Sequence, residues 1–186
     1  DTIHPDDREL VASEWQAAIA SGRGVVEYRI VRPDGGVRWI RNRGFPTRVP
    51  GQMVGISTDI TEMRERAQLL KTITDTATTA IFMIDPSGRV TFMNPAAEAM
   101  TGFTQDEARG RVLHDLVHNV RADGSPYPVA ECPIDRADPQ RSELRDHEDL
   151  FVRRDGTLFP VLVNARPVSG DAPSHLVPLA VAVRLD

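Results

Sequence analysis

Two stretches of this chain repeat one another, and the repeat limits what it can fold into. Arg32-Pro33-Asp34-Gly35-Gly36-Val37 is followed by Pro46, and Arg153-Arg154-Asp155-Gly156-Thr157-Leu158 is followed by Pro167. Asp34 and Asp155 lie 121 residues apart, as do Pro46 and Pro167, and Ile30-Val31-Arg32 falls over Phe151-Val152-Arg153. Two copies at a period of about one small domain mean tandem domains, not a solenoid. The 186 residues, 40% hydrophobic and 26% charged, are enough for one or two globular cores. No apolar run approaches the ~20 residues that span a bilayer, so no direct membrane contact is expected. The net charge of −5 argues against nucleic-acid binding. A single cysteine, Cys132, excludes an intrachain disulfide and fits a reducing compartment. A cytoplasmic location follows, with a membrane-anchored parent protein equally compatible.

Periodicity supplies the elements. His4-Pro5-Asp6-Asp7 opens a helix, with Asp capping its free N–H groups, and Leu10, Val11, Trp15, Ala18 and Ile19 recur at helical spacing up to Gly22. Trp15 and Trp39 are expected to pack this helix on its sheet, an exposed Trp39 instead marking a dimer surface. Val25 to Val31 and Val37 to Ile40 read as strands around a Pro-Asp-Gly-Gly turn, and Met53 to Ile56 as a third. Asp59 and Glu62 have the spacing of a capping box, opening a helix to about Asp75. Met63, Ala67, Leu70, Thr74 and Ala77, with Leu69 and Ile73 beside them, give that helix a short coiled-coil seam.

The second copy begins at Ala80. Residues 81–84 and 90–93 form a hairpin, short helices cover 95–101, 104–109 and 112–118, and 123–139 is a Pro-rich loop with one helical turn. Strands at 149–154, 157–167 and 176–185 close it. The class is α+β, one antiparallel sheet with helices on one face. The first copy holds only the last helix and three strands of this pattern. Half a sheet leaves an apolar face bare, so the natural protein is expected to continue N-terminally, and the second copy's exit helix to follow residue 186.

The residues with most chemistry are His114, His118 and Cys132. The two histidines are four apart and share a helix face. Two imidazoles and a thiolate could hold Zn²⁺, or one imidazole could ligate haem iron. The plainer reading leaves His114 in solvent or on a loop carbonyl and Cys132 as a small buried hydrophobe. A His pair at this spacing arises easily by chance, so the sequence commits to no metal. Met83, Phe92, Met93, Met100, Phe103, Phe151 and Phe159 could line an apolar pocket or fill an ordinary core. Nothing places a nucleophile beside a base, and no phosphate loop or kinase motif is present, so the fragment is not expected to be an enzyme.

In order and spacing, several motifs resemble tandem PAS domains with their PAC-type C-terminal halves. They are His4-Pro5-Asp6-Asp7, Tyr28-Arg29, Arg38-Trp39 and Gly55-Ile56-Ser57-Thr58-Asp59-Ile60-Thr61-Glu62 in the first copy. In the second they are Asp85-Pro86-Ser87-Gly88-Arg89, Asn94-Pro95-Ala96-Ala97-Glu98, Thr101-Gly102, Glu107, Gly110 and Arg154-Asp155-Gly156. The resemblance covers essentially the whole chain. It implies a five-stranded antiparallel sheet cupping short helices, the first copy being partial. It also implies sensing, dimerisation and signal relay upstream of a histidine kinase, diguanylate cyclase or transcription regulator. In haem-binding members a His after the short helices ligates iron, and His118 lies near that region. The Asn-Cys flavin motif of light-sensing relatives is missing, since Asn94 is followed by Pro95 and Ala96. The expected layout is therefore residues 1–60 as half a PAS domain, 61–79 as a connecting helix and 80–186 as a second PAS domain. No cofactor is the leading expectation, with room left for haem, FAD or a small-molecule ligand. Relay is expected through Asp59, Thr61, Leu69, Leu70 and Ile73, in a homodimer.

Overall fold

The computed structural model describes residues 2–49, 52–134, 143–168 and 179–185. The chain divides into two compact units, residues 1–71 and 72–186.

The first unit is a helix on a three-stranded antiparallel sheet of order β1-β2-β3, with β1 Gly24–Val31, β2 Val37–Pro46 and β3 Met53–Asp59. A 3-10 turn, Pro5–Asp7, leads into helix α1, Arg8–Ser21. Asp7 does not cap that helix, contrary to expectation. Its carboxylate instead accepts from the Arg29 backbone N–H at 2.7 Å and from the guanidinium at 2.5 Å and 2.9 Å. These bonds, the backbone one included, hold its pKa at about 2. The side chain seating α1 is Ala18, not Trp15, which stays exposed. A Cβ at Gly24 would lie 2.4 Å from the Ala18 Cβ, so Gly24 is what lets α1 approach β1. Trp39 packs under the Arg64 guanidinium, 4.0 Å above its ring. Val25, Phe45, Val54 and Ile56 remain exposed on this small sheet.

Helix α2, Thr61–Thr76, contains the division between the units. The expected capping box is not formed. β3 runs through Asp59, whose Oδ1 accepts from the Thr61 N–H at 2.9 Å, and Glu62 pairs with Arg66 at 2.6 Å, one turn on. Strand pairing holds Asp59 in the sheet, leaving Glu62 to its i+4 partner.

The second unit is a five-stranded antiparallel sheet of order β5-β4-β8-β7-β6. Its strands are β4 Ala80–Ile84, β5 Val90–Met93, β6 Leu144–Val152, β7 Leu158–Pro167 and β8 Leu179–Leu185. Between β5 and β6 come three short helices, α3 Pro95–Thr101, α4 Gln105–Ala108 and α5 Leu113–Val117, and a 3-10 turn, Val129–Glu131. The Thr104–Glu107 capping box is present as the sequence implies. The core joins Phe82, Met93, Phe151, Phe159, Val161, Val163, Val181 and Val183 to Leu113, Leu116 and Val117 of α5.

Strand parity decides which apolar residues face that core. Phe82 pairs with Met93 and both are buried; Met83 pairs with Phe92 and both are half-buried on the alternate side. Of the seven residues expected to line a pocket or fill the core, Met93, Phe151 and Phe159 are core, Met100 and Phe103 pack partly buried against it, and Met83 and Phe92 lie on the other face.

Candidate functional site

The second unit brings His114, His118 and Cys132 together. All three are buried, at 4%, 1% and 1% exposure, and one ligand atom from each lies within 4.8 Å of the other two. Helix α5 supplies His114, and His118 is its C-cap residue, its N–H bonding the His114 carbonyl. The helix is held by Leu113, Leu116 and Val117 in the core and by the Leu113 N–H on the Gly88 carbonyl at 2.9 Å. The loop after α5 returns through Tyr127, whose N–H bonds the Asn119 carbonyl at 2.8 Å, and through the 3-10 turn that ends at Cys132. His118 Nδ1 then lies 3.2 Å from Cys132 Sγ. His114 is not in solvent: its Nε2 meets the Tyr127 carbonyl at 2.8 Å, the loop-carbonyl arrangement the plainer reading offered.

Asp149 completes the cluster and was missed in the sequence, where it is only the first residue of a strand. Its Oδ1 lies 2.9 Å from His118 Nε2, at ion-pair distance but off the line of a straight hydrogen bond. Its Oδ2 is 3.5 Å from His147 Nε2. A bulge puts it there. The β6–β7 register shifts by one between Leu144 and His147, where Asp146 adopts φ 42°. One extra residue flips strand parity, so Leu144 before it and His147, Asp149 and Phe151 after it share the inner face. Burial pushes the Asp149 carboxyl up, but the close approach of the His118 imidazole outweighs it and holds its pKa below the usual carboxylate range. Burial, then the Asp149 charge, pushes the Tyr127 hydroxyl up. Tyr127 and Phe151 pack around His118 at ring-centroid distances of 4.6 Å and 5.5 Å.

These residues as placed do not fit haem. The Tyr127 and Phe151 rings, 4.6 Å and 5.5 Å from the His118 ring, occupy the space beside the imidazole that a macrocycle would need. The side chain of Asn94 is spent on four backbone groups: Thr74 and Thr79 carbonyls at 3.0 Å, and the Ile81 and Ala97 N–H groups at 2.8 Å and 3.0 Å.

The expected relay residues lie on α2 and its start. Ile60 and Thr61 are buried, Thr61 Oγ1 accepts from the Trp39 N–H at 2.8 Å, and the Ile60 N–H bonds the Trp39 carbonyl at 2.8 Å. Hydrogen bonds from Thr61 hold the Asp59 carboxyl below its usual pKa. Leu69, Leu70 and Ile73 are 60%, 64% and 55% exposed.

Two PAS-fold family models match the chain, one over residues 68–176 and one over residues 1–57. The chain belongs to the PAS-fold family. Among curated proteins it is 29% identical over 181 residues to a probable diguanylate cyclase, DgcE, of Escherichia coli K12, covering 90% of this chain and 16% of that protein. It is 29% identical over 181 residues to the sensor protein FixL of Bradyrhizobium diazoefficiens, covering 86% of this chain and 34% of FixL. Over 47 residues, 25% of this chain and 4% of the relative, it is 52% identical to the cell-division control histidine kinase PdhS of Brucella ovis. The chain thus spans about a third or less of these relatives. Among solved structures, a PAS domain from Colwellia psychrerythraea aligns with TM-score 0.52 and 17% identity over 67% of this chain and 97% of that one. That likeness shows a shared fold. Among the described residues, no helix is long and apolar enough to cross a membrane.

Proposed function

We propose that this PAS pair is a dimeric signal-relay module, cytoplasmic and non-catalytic in itself. A stimulus at the second PAS domain would reach a histidine kinase, diguanylate cyclase or transcription regulator in the same chain through α2. The observation that carries this reading is the anchoring of α2. Its start is locked by Ile60, Thr61 and the Trp39 backbone, and its end by the bond from Asn94 Nδ2 to the Thr74 carbonyl. Between these anchors Met63, Leu69, Leu70 and Ile73 are exposed. A helix fixed at both ends converts a shift at either anchor into a displacement of its whole length, and an exposed apolar stripe suits pairing with a second copy. Relatives named as a sensor protein, a histidine kinase and a probable diguanylate cyclase support the range of outputs.

The test is solution mass by light scattering. The wild-type chain is expected to be a dimer, and the double variant Leu70→Asp, Ile73→Asp a monomer with an unchanged circular dichroism spectrum. A wild-type monomer, or a double variant of dimer mass, overturns the dimer reading.

A second reading, a sensor that holds a bound ligand in the second domain, is favoured by the buried His114–His118–Cys132 cluster.

A further inference from the structure

We propose that His114, His118 and Cys132 form a binding site for a thiophilic divalent transition-metal ion, Zn²⁺ being the best fit, with Asp149 as an outer positioning residue. A carbonyl only accepts, so the 2.8 Å contact to the Tyr127 oxygen requires a proton on His114 Nε2. Neutral His114 therefore carries a bare lone pair at Nδ1, and that atom is buried without a hydrogen bond. His118 repeats the pattern. The Asp149 carboxylate, 2.9 Å away, favours a proton on Nε2, which turns the Nδ1 lone pair toward Cys132 Sγ at 3.2 Å. One ring nitrogen of each histidine thus lies within 4.8 Å of a single thiol, and His114 Nδ1 is left with no partner at all. An unsatisfied acceptor in the interior is costly, and a metal ion at this point relieves it.

Two imidazole nitrogens and a thiolate are a borderline-soft donor set that Zn²⁺ takes with tetrahedral geometry and a fourth position open. Backbone or carboxylate acceptors on the far ring nitrogens are the usual outer shell of metal-binding histidines. Binding balances: the Cys132 S–H proton leaves to water, the S–Zn bond forms, and neither partner changes oxidation state. The charges balance as well, since thiolate and Asp149 together offset the ion's two positive charges, which a buried site requires. A pocket of about 480 Å³ is bordered by Tyr127, Glu148 and Asp149, on the Asp149 side of the cluster. Arg121 also lines it, paired with Glu131 at 2.6 Å.

This inference deepens the ligand-sensing reading and rests on it only for biological meaning. The experiment is titration of the reduced, chelator-stripped chain with Co²⁺ and then Zn²⁺. Expected are one ion per chain, the intense visible bands of tetrahedral cobalt, a thiolate-to-cobalt charge-transfer band, and displacement by Zn²⁺. Cys132→Ala is expected to abolish the charge-transfer band and to weaken Zn²⁺ at least ~100-fold. Asp149→Asn, which leaves all three ligands in place, is expected to keep the band and weaken Zn²⁺ ~10- to 100-fold. Absence of the charge-transfer band in the wild type overturns the proposal without recourse to any variant that might misfold. So does a Cys132→Ala affinity within threefold of wild type. A metal-binding chain that stays monomeric would sink the dimer reading and leave the site. A bare chain that dimerises through Leu70 and Ile73 would do the reverse.

Discussion

Asn94 offers the sharpest test of how the second domain holds α2. Its side chain is fully buried and makes every hydrogen bond an amide can make: Nδ2 donates to the Thr74 and Thr79 carbonyls, and Oδ1 accepts from Ile81 and Ala97. The four partners also fix which atom is oxygen, since two only donate and two only accept. Asn94 is the N-cap of α3, and at an N-cap Asp serves as well as Asn. If capping were its whole role, Asn94→Asp would be nearly neutral. The structure requires otherwise. Asp keeps the two acceptor bonds but removes both donors, leaving two carbonyls facing a buried carboxylate. At about 1 to 3 kcal/mol for each of the two unsatisfied buried groups, the loss is roughly 2 to 6 kcal/mol. For a domain near 115 residues each kcal/mol moves Tm by roughly 4 °C, so the second domain should melt about 8 to 24 °C lower. Calorimetry reads the melt, and amide exchange at Thr72 to Thr76 reads the release of the helix end. A Tm within about 2 °C of wild type would refute the reasoning.

The first unit can be followed separately, because both tryptophans, Trp15 and Trp39, lie in it. Asp7 has a pKa depressed to about 2 by Arg29, so its contribution is complete above the unfolded value of 3.8 and disappears as pH falls toward 2. Arg29 remains 29% exposed and solvent screens the pair. The contribution is therefore about 1 to 2 kcal/mol, and Asp7→Asn should flatten urea stability, read by tryptophan fluorescence, across that window; an unchanged pH slope would count against the pairing. Thr61→Ala leaves the Trp39 N–H without its buried acceptor and should cost about 1 to 3 kcal/mol in the same assay, with Thr61→Ser restoring most of it. If Ser and Ala lose equally, the hydroxyl is not what holds the start of α2.

The organisation of this protein was written in local patterns. The 121-residue repeat, the Asp-Gly turns, the Thr104–Glu107 capping box and the Asn94-Pro95 helix start are short-range signals, and each states its geometry within a few residues. They were enough to place the α+β class and the five-stranded sheet, and to bring His114 near His118, which caps the end of its helix. What they could not place is anything set by long-range register. Met83 and Phe92 looked as apolar as Phe82 and Met93, and only the β4–β5 pairing showed which pair faces inward. The Asp59–Glu62 spacing looked like a cap, but strand pairing extended β3 through Asp59. The bulge at Asp146 carries no sequence mark, yet it turns Asp149 toward His118. Cys132 comes within 3.2 Å of a histidine fourteen positions earlier because the Tyr127 loop folds back over α5. By itself the sequence determined the fold class and the candidate ligands. Tertiary structure decided their convergence, because contact between distant residues depends on strand register and loop closure, which no local pattern encodes.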